Sequence, residues 1–181
     1  MNTANNKRRR ASKKKIENTL VKLLQQHELN QISVTDICKM AGVNRTTFYA
    51  NYIDIFDLAD EVQKSMEEEV LGLYHEEMSK GQASNDFLKL FRHIKENPIF
   101  YRTYFKLNVG GKFRFAGYDM EQAMSRYGNQ YIDYHIEFFG NGLNAVIKKW
   151  LDNDCRETPE ELFSIIQAEY MGGEYMGGCN P

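Results

Sequence analysis

A chain of 181 residues with 42% hydrophobic content is long enough for a small module of about 55 residues plus a second domain with its own core. No run of about 18 apolar residues occurs and the first 15 residues are charged without an apolar stretch, which argues against a membrane span or a secretory signal and for a cytoplasmic protein. The net charge of −2 hides an asymmetry: residues 1 to 50 hold 10 Lys or Arg against 3 Asp or Glu, a balance of +7, so the rest sums to −9 and the basic end is the one that meets polyanions.

Residues 1 to 11 read as a disordered basic arm carrying Lys7 to Arg10. Ser12 can cap a first helix running to about Glu28, with Ile16, Leu20, Leu23 and Leu24 on one face. Ser33-Val34-Thr35-Asp36 is a capping box, the serine hydroxyl accepting from the amide three residues on and the aspartate reaching back. It predicts a helix from Val34 that turns Ile37, Met40 and Ala41 inward and stops at Gly42, where the missing Cβ permits a left-handed reversal. Asn44 caps the next segment, Arg45 to Tyr52, which should bury Phe48 and Tyr52 and leave Arg45, Thr46, Thr47, Tyr49 and Asn51 outward. Asp54 to Asp57 then opens a long helix reaching about Met78, acidic in its second half.

Ser79 to Ser84 is a small-residue linker, after which Phe87, Phe91 and Ile94 resume helical spacing. Asn97-Pro98 restarts a helix, and Leu107 to Gly111 breaks it. Residues 112 to 128 predict one imperfect helix. From Asn129 to Asp152, Ile132, Ile136, Phe139, Leu143, Val146, Ile147 and Trp150 follow a period of about 3.6. A second apolar side holds Tyr131, His135, Phe138, Gly142 and Ala145, and a helix apolar on two sides has to be covered twice. Thr158-Pro159-Glu160-Glu161 supplies cap, first-turn proline and capping-box glutamate for a last helix.

The segment from Ser33 to Leu58 is thus laid out as a helix-turn-helix. Ile37, Ala41-Gly42-Val43-Asn44, Phe48-Tyr49, Asn51-Tyr52 and Leu58 resemble the N-terminal domain of the TetR/AcrR family of bacterial transcriptional regulators over residues 12 to 62. Three positions depart from the family pattern: Cys38 stands where alanine is usual, Asn51-Tyr52 replaces a histidine-phenylalanine pair, and Ile55 takes the place of a common phosphate-binding lysine. The resemblance implies an all-α protein of about nine helices: the arm (1–11), a three-helix DNA-binding domain (12–62), and a helical effector-sensing and dimerisation domain (63–181) joined by the long helix. It also implies a homodimer paired through the last two long helices.

On this reading Arg45 is the first choice for a base contact, because its planar fork matches both acceptors of guanine. Thr46 and Thr47 offer hydroxyls and methyls to neighbouring bases, beside the capping Asn44, while Ser33, Thr35, Tyr49 and Asn51 match family positions that hold the phosphate backbone. One module makes too few contacts for an operator, so a two-fold pair on a palindromic duplex is expected. Of the 23 aromatic residues, 18 lie from Phe87 onward, which suits a small apolar or aromatic effector as well as a packed core. Tyr101, Tyr104, Phe105, Tyr118, Tyr127, Tyr131 and His135, with Met120 and Met124 as filler, are the pocket candidates.

An enzyme is not expected. The four histidines are scattered, Gly110-Gly111-Lys112 lacks the spacing of a phosphate loop, and Cys38, Cys155 and Cys179 are too far apart for a metal knuckle or a disulfide framework, so no metal or cofactor is implied. Two other functions fit the same sequence. One is an operator-bound adaptor governed by a protein partner, and the other a non-specific nucleic-acid binder using mainly the arm.

Overall fold

The computed structural model describes residues 3–75, 87–108 and 131–171. Among these residues the fold is all-helical, with α1 (Thr3–Leu23), α2 (Val34–Ala41), α3 (Arg45–Tyr49), α4 (Ile55–Gly72), α5 (Phe87–Glu96), α6 (Pro98–Leu107), α7 (Ile132–Asp152) and α8 (Pro159–Met171). The predicted linker at 79–84 and the imperfect helix at 112–128 lie outside them. Two compact units emerge: Met1–Leu73 with Arg102–Gly111, and Tyr74–Tyr101 with Lys112–Pro181.

In the first unit α1 begins at Thr3 rather than at Ser12, so the stretch expected to be disordered is helical from its third residue. The Lys, Arg and Ala found there are good helix formers, and Arg9 is tied down by hydrogen bonds to Asn51 and Ala50. The helix stops at Leu23, short of the predicted Glu28, and a 3-10 turn at Leu29–Gln31 follows. Ile16, Leu20 and Leu24 are fully buried with Ile37, Phe48 and Leu58, which makes α1 the cover of the two short helices. In α2 the inward residues are Ile37 and Cys38, whereas Met40 is 54% exposed. At about 100° per residue, 37, 38 and 41 share an arc that leaves 40 outside it.

The unit also extends past the expected boundary at residue 62. A single buried stripe, Leu58, Ala59, Val62, Met66 and Val70, runs along the whole of α4 and offers no place to divide. The second half of α6 joins it from far along the chain: Gln25 Nε2 donates to the buried Thr103 Oγ1 (2.8 Å), Lys106 pairs with Glu28 (3.2 Å), and the Tyr104 hydroxyl donates to Glu67 (3.2 Å).

The second unit is built on α5, α7, α8 and the start of α6. Leu90, Phe91, Ile94, Tyr101 and Ile147 are fully buried, Phe91 meets Trp150 edge-on at 6.2 Å, and Phe87 meets Phe139 at 5.6 Å. The Trp150 indole N–H donates to the Glu157 carbonyl (3.2 Å), which Lys95 also reaches (2.9 Å). Arg92 grips Glu160 through Nε (3.1 Å) and Nη2 (2.8 Å), fastening α5 to the start of α8. Thr158 and Glu161 close the predicted capping box by reciprocal hydrogen bonds.

Candidate nucleic-acid interface

The local geometry of the helix-turn-helix is set by its caps. Ser33 Oγ accepts from the Asp36 amide (3.2 Å) while the Asp36 carboxylate accepts from the Ser33 hydroxyl (2.5 Å) and the Ser33 amide (3.1 Å), and these two bonds to the carboxylate hold it below the usual aspartate range. Gly42 sits at φ 65°, ψ 39°, in the left-handed region that lets α2 end and the chain reverse within two residues. Asn44 Oδ1 then accepts from both the Thr47 amide and the Thr47 hydroxyl at 2.7 Å, and α3 begins.

α3 is only five residues long, and nothing within so short a helix stabilises it alone. It is held from below: Phe48 is fully buried, Tyr52 is 2% exposed, and their rings lie 5.7 Å apart. The Tyr52 hydroxyl donates to Glu17 (2.8 Å), and burial together with this carboxylate raises the phenol far above its ordinary value, so it stays a donor at any physiological pH. What remains outward is a polar ridge.

On that ridge Arg45 and Thr46 are exposed, and Tyr49 is 52% exposed. The Arg45 guanidinium lies 6.0 Å from the Tyr49 ring and its Nη2 donates to the Tyr49 hydroxyl at 3.4 Å, a long bond that orients the fork while leaving it accessible. Ser33 and Thr35 are exposed at the entrance of α2. Besides Ser33, whose hydroxyl closes the cap of α2, three predicted site residues carry structural duties as well. Asn44 gives its oxygen to the cap, the half-buried Thr47 gives its hydroxyl to Asn44, and Asn51 uses both ends of its amide: Nδ2 donates to the Thr47 carbonyl (2.8 Å) and Oδ1 accepts from Arg9 Nε (3.1 Å). Ile55 is 8% exposed, so the position where a lysine is common belongs to the core here.

Sequence reasoning takes Arg8 to Arg10 together, as an arm that could follow the minor groove or phosphates, and does not single out Arg9, whose Nη2 also reaches the Ala50 carbonyl (3.3 Å). No local signal separates it from Arg8 or Arg10, since the choice is made by which side of α1 faces α3.

The described pocket candidates fall in both units. Tyr101 is fully buried in the second, its hydroxyl 2.7 Å from His93 Nδ1. Tyr104 is fully buried in the first, where Phe105 is half-buried beside it, the two rings 5.9 Å apart. On α7, Tyr131 is 65% exposed and His135 half-buried. Tyr118 and Tyr127, with Met120 and Met124, lie outside the described residues. The second apolar side of α7 is open: Phe138 is 77% exposed, and Gly142 and Ala145 are exposed too. Tyr134, 76% exposed, extends this face and was overlooked, although its i, i+4 spacing to Phe138 was there to be read.

Residues 81–169 match a TetR-type family model described as a transcriptional regulator C-terminal region. No curated protein matches the sequence. A chain that is all-helical over its described residues and carries this C-terminal region is a transcriptional regulator. That C-terminal region belongs to the TetR family. The matched half is the one that does not contain the helix-turn-helix, so the family assignment and the N-terminal resemblance rest on separate residues. No described helix is long and apolar enough to cross a membrane.

Proposed function

We propose that the protein binds DNA sequence-specifically as a homodimer on a palindromic operator and acts as a ligand-responsive repressor. The observation that carries this reading is the exposed ridge of α3, Arg45, Thr46 and Tyr49, set on a helix whose caps and underlying rings fix its orientation. A helix that presents such side chains suits a major groove, where Arg45 reads guanine with about 1 to 3 kcal/mol of discrimination and Thr46 meets a neighbouring base. Thr35 and Tyr49 flank it as backbone contacts, and Ser33 does so with a hydroxyl that also closes the cap of α2. Asn44, Thr47 and Asn51 serve mainly to hold the ridge in shape, since their side chains are already engaged.

Pairing is supported by the open aromatic side of α7, Tyr131, Tyr134 and Phe138, together with Ile165 of α8, which is 49% exposed. Large apolar groups clustered in water mark an interaction surface. The effector belongs to the second unit on this reading, and the abundance of aromatic residues from Phe87 onward supports an apolar or flat molecule.

Selection of bound duplexes from a random pool tests the proposal. Recovery of a palindrome with half-sites about one helical turn apart is the expected result. A pool that shows no enrichment, while still binding in low salt, would leave only a non-specific binder.

A further inference from the structure

A second feature of the N-terminal unit lies beside the ridge. The outer turns of α1 and the turn that follows α3 enclose a cleft of about 340 Å³ lined by Asn6, Arg9, Arg10, Lys13 and Asn51. The lining holds three cations and no acid. Their charges are not equally available. Lys13 is balanced by Glu61 at 3.0 Å and lies 3.8 Å from Glu17, and its presence holds the Glu61 carboxyl below the usual range. Arg9 spends two donors on neutral oxygens, the Asn51 amide and the Ala50 carbonyl, of the five that a guanidinium carries. Arg10 has no side-chain partner among the described residues and is exposed. Two full positive charges therefore face one cleft without a carboxylate to satisfy them.

The latch from Arg9 also settles where this charge sits. Ile16 is the first fully buried residue of α1, and ahead of Lys13 only Arg9 makes side-chain hydrogen bonds to the rest of the unit, among the described residues. Because those bonds end on Ala50 and Asn51, the basic turns are fixed against the C-terminal end of the ridge instead of swinging free. Guanidinium forks beside an amide suit an oxyanion with several acceptor oxygens, and a cleft of this volume admits a phosphate with its flanking sugars.

We propose that this cleft seats one phosphate of a DNA backbone, held by Arg9 and Arg10, so that the arm clamps the duplex next to the segment read by α3. The inference rests on the DNA-binding reading above and adds to it a fixed, sequence-independent contact.

The test is the salt dependence of duplex binding, measured by fluorescence anisotropy between about 50 and 200 mM salt for a random-sequence duplex and for one recovered by selection. Arg10→Gln should make the slope of log affinity against log salt shallower by about 0.9 for each protomer bound, and should do so equally on both duplexes. Lys149→Gln, which removes the same charge from an exposed position of α7 in the other unit, should leave the slope as it is. An unchanged slope in Arg10→Gln, or an equal drop in Lys149→Gln, overturns the cleft as a phosphate seat. The two readings fail separately. If Arg10→Gln lowers the slope yet no sequence is preferred, the seat stands and specific reading falls. If Arg45→Ala abolishes a preference that Arg10→Gln leaves with its full slope, the reverse holds. A chain that binds neither duplex refutes both. Titration with inorganic phosphate is the remaining arm: tight binding lost in Arg10→Gln, with no change in slope, would make this a free-anion site and overturn the duplex assignment.

Discussion

The exposed side of α3 and the exposed side of α7 are both made of large residues in water, and they differ in what that exposure costs. Arg45, Thr46 and Tyr49 carry polar groups that water satisfies, so the ridge is stable while empty and gains hydrogen bonds when a partner arrives. Tyr131, Tyr134 and Phe138 expose mainly hydrocarbon at 65%, 76% and 77%, and each ring left in water forfeits about 25 cal/mol for every Å² that a cover would remove. A polar ridge can wait for a transient partner, whereas an aromatic face calls for a lasting one. This contrast is why the two surfaces are assigned to DNA and to a second copy of the chain respectively.

The largest effect that would sharpen the contrast is expected at Phe138. Phe138→Asp places a carboxylate in the centre of the apolar side, where the monomer has no need of the ring, so sedimentation should shift from dimer to monomer with helicity retained. Duplex affinity should fall by about 100-fold or more as bivalent attachment is lost. Unchanged sedimentation would break the comparison, since the α7 face would then have no lasting cover to lose.

Next in size is Arg45→Ala. The side chain is exposed and lends nothing to the core, so folding and dimerisation should be unaffected while preference for the selected duplex over a scrambled one drops by about 1 to 3 kcal/mol per half-site. Equal loss on both duplexes would turn Arg45 into a phosphate contact.

The smallest effect is that of pH, and it touches both units alike. Asp36 is held low by Ser33, Glu61 by Lys13, Glu160 by Arg92 and Glu161 by Thr158. A carboxyl depressed in the folded state contributes stability that is present above its unfolded value and lost as pH falls through the folded one. Thermal midpoints followed by circular dichroism should therefore be flat through neutral pH and decline only below about pH 4. The decline should be modest because these groups are solvated. A fall between pH 8 and 6 would overturn this account.

How much of this was legible in the sequence follows from the range of the forces involved. The caps at Ser33, Asn44 and Thr158 and the reversal at Gly42 are contacts within three or four residues, and each was readable from its tetrad. Burial of Phe48 and Tyr52 followed from i, i+4 spacing. What escaped depends on distant partners. The ordering of the arm needs Arg9 to find Asn51, 42 positions away. The attachment of residues 102–108 to the first unit needs Thr103 to meet Gln25, 78 positions away. Met40 was misplaced for a related reason, because a short helix has a buried arc whose edge is drawn by its neighbours. Of the site, the ridge and its Asn44 cap were legible as a pattern, while the engagement of the Thr47 hydroxyl and of Asn51 in holding it was not.

The five-residue length of α3 has a consequence for how such a head can change over time. Of its outward residues only Tyr49 meets the core, edge-on against Phe48 at 5.5 Å, so on the proposed reading altering Arg45 or Thr46 would change which duplex is preferred without unfolding the head. Conversely, a substitution at Glu17 or Leu20, remote from any base, would tilt the platform and blur every letter at once.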